Sequence, residues 1–205
     1  MDNKKIVAIS GYSRVGKNSF ANEVQRQLKD FAPNLVVEQF SFADALRTEL
    51  NTFIRENFNN ISPWTEDDQE KKLIRPILIA YGNAKREFTN NKYWIEKINN
   101  KIERSNCDVA LITDLRYAET ENDELGWLKR NRGMNFHLKR YQERKSKTGK
   151  IVKVFEKAPN EHEKVNDPKI ESFAKKVIEI PRFEDLQEFK DSIKKEVESI
   201  IGYFL

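Results

Sequence analysis

The stretch Ile6-Val7-Ala8-Ile9-Ser10-Gly11-Tyr12-Ser13-Arg14-Val15-Gly16-Lys17 decides the reading of this chain. Four consecutive apolar residues predict a buried strand, and a Gly-x4-Gly-Lys loop follows it directly. A helical pattern begins at once, with Phe20, Val24 and Leu28 four residues apart. Strand, glycine loop and helix in that order make a phosphate cradle. Backbone N–H groups curl around an anion, the helix adds the positive end of its dipole, and Lys17 reaches the terminal phosphates. The loop calls on Gly11, Ser13, Arg14, Val15, Gly16 and Lys17. Asn18 stands where a Ser or Thr normally offers its hydroxyl to magnesium, and Ser19 follows. The bland alternative is a glycine turn before a capped helix. With only seven glycines in 205 residues, two at the required spacing after a buried strand favour the cradle.

Working outward, strands and helices alternate. Leu35 to Phe42 reads as a second strand, and Asp44 to Phe58 as a helix with Leu46, Leu50, Phe53 and Ile54 on one face. Asn59 to Pro63 is a loop. A helix through Leu73, Ile77, Leu78 and Tyr81 is expected to end near Gly82, and another spans Tyr93 to Glu103. Val109 to Thr113 has no polar alternation, as a parallel strand covered on both faces requires. A helix from Thr120 to Arg130, a strand from Met134 to Leu138, a polar lysine-rich stretch from Arg140 to Pro168, a strand from Lys176 to Ile180 and a helix from Phe183 to Phe204 complete the chain. The pattern predicts one α/β domain with a parallel five-stranded sheet between two helix layers.

Composition narrows the class. The chain holds 37 basic and 33 acidic residues, a net charge of +4 and a mean hydropathy of −0.77. Bases and acids are interspersed, which describes a solvated surface better than a nucleic-acid footprint. No apolar run approaches a membrane span, and Met1 to Lys5 lacks a signal-peptide pattern, so the expected compartment is the cytoplasm. The single Cys107 rules out an internal disulfide and a cysteine-based zinc site.

Asp114, at the end of the buried strand, is the second chemical signal. A carboxylate there sits where ligands collect in this architecture, able to hold magnesium directly or through water. Arg116 can clamp a phosphate bidentately. Asp114 also has a plain reading as a turn cap. A GTPase switch fits poorly, since Tyr117 occupies the position of its glycine and no Asn-Lys-x-Asp is present.

Gly11-x4-Gly16-Lys17, Phe40-Ser41-Phe42-Ala43-Asp44-Ala45-Leu46-Arg47, Arg75 through Gly82, Tyr93-Trp94-Ile95, and Ile112-Thr113-Asp114-Leu115-Arg116 with Glu121 keep the order and spacing of one family. Over residues 5–140 the chain resembles bacteriophage deoxynucleoside monophosphate kinases. The resemblance implies the P-loop nucleoside monophosphate kinase fold, with a monophosphate-binding region about 43–95 and a lid about 140–168. It implies transfer of the ATP γ-phosphate to a dNMP, with Mg2+, in the host cytoplasm if phage-encoded. Two departures are Ile79, where relatives often carry glutamine, and a lid that resembles theirs only loosely around Glu161-His162-Glu163.

On that footing Lys17 and the loop hold the donor, and Ser19 or Asn18 with Asp114 positions magnesium. Arg116, Arg75, Arg47 and Arg86 are candidates for the acceptor phosphate, Arg86 in a loop beyond Gly82. Asp44 either accepts hydrogen bonds from the acceptor or caps a helix, and Trp94 either stacks on a base or packs with Ile98 and Ile102. Arg140 and Arg144, in the basic run that includes Lys147, are the lid arginines expected to act in catalysis. His137 and His162 are read as core or surface residues and not as a metal site. The partner is a small nucleotide, with no stable nucleic acid and no membrane; pairing of two copies through apolar helices stays open. Two alternatives remain: a small-metabolite kinase resembling dephospho-coenzyme A kinase, and a non-catalytic nucleotide- or nucleic-acid-binding module.

Overall fold

Strand β1 (Lys5–Ser10) is apolar on both faces, and the structure, a computed structural model, buries it at the centre of a six-stranded sheet. Residues 4–146, 148–182 and 185–205 are described. Lys147, the Phe183 start expected for the last helix, and residues 1–3 lie outside them. In chain order the remaining elements are α1 (Lys17–Phe31), β2 (Val37–Phe40), α2 (Phe42–Asn57), α3 (Asp68–Phe88), α4 (Lys92–Arg104), β3 (Val109–Ile112), α5 (Glu124–Arg130), β4 (Met134–Lys145), β5 (Ile151–Phe155), α6 (Glu161–Ser172), β6 (Lys176–Pro181) and α7 (Leu186–Glu198), closed by a 3-10 turn at Ile201–Tyr203. The chain packs as two compact units, one of residues 1–39 and 106–205, the other of residues 40–105.

In the first unit the strand path is β2-β3-β1-β4-β5, with β6 also pairing β4. β1 runs parallel to β3 and β4, in register Lys5 with Val109 and Val7 with Met134, and β6 runs parallel to β4. The protein is thus an α/β fold with a mostly parallel sheet. In open sheets of this kind ligands collect at the carboxyl ends of the strands. Gly11–Lys17 follows β1 and Thr113–Arg116 follows β3 at those ends.

One sheet face is fully apolar. Val7, Ile9, Val109, Leu111, Phe136, Leu138, Ile178 and Ile180 pack against Phe20, Val24 and Leu28 of α1 and Ile193 and Val197 of α7, with Phe204 stacked on Phe136 at 5.7 Å. The opposite face of β4 carries Asn135, His137 and Lys139, because alternate residues of a strand point to opposite sides. Helix α6 covers this polar stripe: Asn135 donates to the Ile170 carbonyl at 3.0 Å, and Lys139 pairs with Glu171 at 2.9 Å.

Several boundaries differ from expectation. β4 continues seven residues past Leu138, and antiparallel β5 folds back on it from Tyr141–Phe155 to Lys145–Ile151, giving a sixth strand inside the stretch read as polar loop. The turn between them uses Gly149 at φ +79°. The sequence signal is the β-branched run Ile151-Val152-Lys153-Val154, masked by the lysines around it. Helix α5 starts at Glu124 rather than Thr120, because the buried Asp123 carboxylate accepts the Glu119 and Thr120 N–H groups and holds them in a turn. In the second unit α3 runs on to Phe88 instead of stopping near Gly82. Gly82 is buried within it, and a Cβ at this position would lie 3.6 Å from the Leu46 side chain. The Gly82 carbonyl accepts the Trp94 indole N–H. Glycine here does not terminate the helix. Among the described residues no helix is long and apolar enough to cross a membrane.

Truncation at the aromatic stack tests the core of the first unit. Phe136→Ala should cost about 3–5 kcal/mol in urea denaturation, since Phe136 is fully buried.

Candidate functional site

The loop after β1 has the backbone that an anion cradle needs. Gly11 adopts φ +128°, Arg14 φ +67° and Gly16 φ +102°, the last as the residue preceding the first turn of α1. A side chain at Gly11 would lie 2.3 Å from the Leu138 carbonyl, and one at Gly16 would strike the Phe189 ring at 2.5 Å. Gly11 demands glycine for dihedral and for space, and Gly16 for its dihedral. Val15 is buried and pins the loop to the core, whereas Asn18 and Ser19 lie exposed on the first turn of α1.

Lys17 is the focus. Its side chain is buried, and its ammonium donates to the Gly11 and Tyr12 carbonyls, each at 2.9 Å. Burial, and after it the Arg116 guanidinium, push its pKa down to about 8; Glu163, Asp114 and Asp167 pull the other way. The structure thus brings Lys17, Asp114 and Arg116 into one electrostatic neighbourhood at the carboxyl ends of β1 and β3. Arg116 is held from its backbone, where its N–H donates to the buried Glu124 carboxylate at 2.5 Å. This leaves the guanidinium directed by its ion pair with Glu163 at 3.7 Å.

Glu163 is the site residue that sequence reasoning misses. It sits in the first turn of α6, buried, and its carboxylate accepts the Ser13 backbone N–H at 2.8 Å. Asn160 caps the same helix, accepting the Glu163 N–H at 2.9 Å and donating to the carboxylate at 3.0 Å. A carboxylate on a loop N–H of the cradle shows that the loop presents donors to a negative group. No sequence pattern announces a contact across 150 residues. Nearby, burial and then the charges of Asp167, Glu171 and Glu163 raise the Tyr12 pKa.

Of the two lid arginines, Arg140 reaches the loop, donating to the Arg14 carbonyl and pairing with Glu156 at 3.8 Å. Arg144 lies further along β4, exposed, bonded to Gln142 at 3.2 Å.

The second unit holds the remaining candidates. Helix α2 begins at Phe42 with Ser41 as its N-cap residue, so Asp44 lies within the first turn and is not the cap. It pairs with Lys101 at 3.0 Å and Arg47 at 3.7 Å. A cavity of about 210 Å³ is lined by Asp44, Thr48, Glu49, Lys97 and Lys101 among others. Burial opposes the charge on Glu49, but hydrogen bonds from Lys97, Tyr93 and Tyr81 outweigh it and hold its pKa below the usual carboxylate value. Glu49, Lys97 and Lys101 carry no sequence signal, because charged residues on a helix default to solvent. Arg86 is not in a loop; it is buried within α3, while Arg75 is exposed on the same helix. Trp94 is 5% exposed, meets Tyr93 edge-on at 4.8 Å and spends its N–H on Gly82. That environment favours packing over stacking on a base.

The chain matches no family model and no curated protein sequence. Among solved structures it is similar to a gluconokinase from Sinorhizobium meliloti 1021, at 12% identity and a TM-score of 0.38, over 98% of this chain and 95% of that one. At that score the likeness assigns neither a family nor a chemistry.

The Lys17 environment makes a signed prediction. Its ammonium carries full charge well below pH 8 and loses its proton as pH rises through about 8, so affinity for a phosphate anion should fall across that interval. Removing the attractive charge in Glu163→Gln should move the Lys17 midpoint lower still. Titration of the labelled Lys17 side chain by NMR reads both.

Proposed function

We propose that this chain is a P-loop phosphotransferase that moves the γ-phosphoryl group of ATP to a deoxynucleoside monophosphate. The observation that carries the reading is the buried Lys17 ammonium, set in a strand–loop–helix cradle with Asp114 and Arg116 in its electrostatic field. Phosphoryl transfer asks a protein for positioning and charge neutralisation more than for covalent chemistry. Lys17 and the loop N–H groups supply both to the donor phosphates. To reach them, the ammonium exchanges its contacts with the Gly11 and Tyr12 carbonyls for phosphate oxygens. Arg116 exchanges Glu163 for a phosphate in the same way, and a bidentate clamp results.

Asp114 is a half-buried carboxylate in this field, and Ser19 is an exposed hydroxyl on the first turn of α1. Hard oxygen donors of this kind fit magnesium, which keeps several waters and takes one or two protein ligands. When bound, the ion neutralises charge on the phosphate oxygens. Arg140, already on the Arg14 carbonyl, is assigned to close the donor side against water. The choice of a deoxynucleotide acceptor rests on the resemblance of the Phe40 to Arg47 block. Asp44 and Arg47 are assigned to that acceptor, and the neighbouring Glu49, Lys97 and Lys101 give the cavity the mixed charge that suits a polar base.

An ADP-release assay with ATP, magnesium and each common NMP and dNMP tests the reading. Turnover is expected with at least one dNMP. ATP binding without ADP release from any monophosphate would overturn it. Lys17→Ala should lower kcat by at least about a hundredfold, with the circular dichroism spectrum unchanged. Asp44→Asn should raise the acceptor KM while leaving that of ATP near its original value.

A further inference from the structure

We propose that His137, Asp167 and Glu171 form a binding site for a divalent transition-metal ion, which ties helix α6 to strand β4. His137 is 1% exposed and Asp167 8% exposed, with Glu171 half-buried beside them. One ligand atom from each residue lies within 4.8 Å of the other two, and this is the one such cluster among the described residues. The His137 Nε2 atom is 3.4 Å from Asp167 Oδ2 and 3.9 Å from Glu171 Oε2. Tetrahedral bonds of about 2.1 Å place neighbouring ligand atoms about 3.4 Å apart. The first distance already meets that value, His137–Glu171 closes by about half an ångström, and the two carboxylate oxygens by no more than about 1.4 Å.

Hydrogen bonding does not account for the arrangement. At 3.4 Å, Nε2 and the Asp167 oxygen are too far apart for a good N–H···O bond, whose range ends near 3.2 Å. The Asp167 side chain is about nine-tenths buried. A buried carboxylate so placed calls for a positive partner. His137 is oriented for ligation from its far side, with Nδ1 2.9 Å from the fully buried Ser10 hydroxyl. With the proton on Nδ1 the imidazole donates to Ser10 Oγ and turns the Nε2 lone pair toward the two carboxylates. Metal-bound histidines are held in this way by a partner on the other nitrogen. Lys139 occupies Glu171 Oε1 at 2.9 Å, leaving Oε2 as the oxygen nearer His137.

One imidazole and two carboxylates suit Zn2+, Co2+ or Mn2+ better than Mg2+, which prefers an all-oxygen shell. The site shares no proposed ligand with the Lys17 cradle, although Asp167 acts electrostatically on Lys17, and it does not depend on the chemistry proposed there. Its consequence is mechanical. Helix α6 carries Glu163, and its underside meets the polar stripe Asn135, His137 and Lys139. A metal at that seam would fix the helix to the sheet.

Titrating the metal-free full chain with Co2+, without nucleotide, tests this by absorption spectroscopy. One equivalent should bind with the visible bands of a low-symmetry Co2+ site, and Zn2+ should displace it. Asp167→Asn and Glu171→Gln, which keep side-chain volume, should each weaken binding about tenfold or more. Asp114→Asn should leave one equivalent bound, and Lys17→Ala, which removes a positive charge acting on Asp167, should not weaken binding. Absence of those bands at millimolar Co2+ would overturn the proposal, as would undiminished binding in both the Asp167 and Glu171 variants. Loss of binding in Asp114→Asn would place the ion in the cradle instead and also overturn it.

Discussion

A buried ammonium at the mouth of a parallel sheet is the constraint around which the first unit is arranged. Lys17 stays in a nearly closed site only because loop carbonyls and three carboxylates offset the cost of removing its charge from water. The carbonyls come from Gly11 and Tyr12, so the loop must turn back over its own lysine. That path requires left-handed backbone at Gly11 and Gly16. It also requires β1 to end where it does, between β3 and β4, so that Asp114 arrives from one neighbouring strand and the Leu138 backbone closes against the loop from the other.

Helix α6 completes that environment from the far end of the sequence. Its first turn supplies Glu163 to the Ser13 N–H, its middle supplies Asn166 to the Ala118 N–H at 2.7 Å, and its end supplies Glu171 to Lys139. Polar contacts predominate in this set. A helix held by such contacts loses little hydrophobic stabilisation when it shifts, unlike α1 and α7 on the opposite face, which are fixed by aliphatic and aromatic packing. The asymmetry between the two faces follows from β4. Phe136 and Leu138 face the apolar layer, while Asn135, His137 and Lys139 face α6.

The second unit is a three-helix body with its own small core of Leu50, Ile54, Ile61 and Ile74. Its polar side is organised around Glu49, which collects two tyrosine hydroxyls and Lys97. A carboxylate fixed from three directions cannot swing, and the adjoining cavity therefore has a defined pattern of charge.

The sequence by itself determined the strand–loop–helix at Gly11 to Lys17, the buried strand ending at Asp114, and the alternation that makes an α/β fold. These are local signals: unbroken apolar runs, glycine spacing and a four-residue helical repeat each depend on neighbours in the chain. Only the tertiary structure decided that Glu163 meets Ser13, that His137, Asp167 and Glu171 converge, and that Arg86 and Trp94 are buried. Those outcomes depend on which helix covers which face of β4, and on how α3 packs along α4. Charged residues give no period that distinguishes a solvated position from a buried one. Gly82 shows the same limit on a small scale. A glycine late in a helical pattern reads as a stop, and only the structure shows the helix running through it to Phe88.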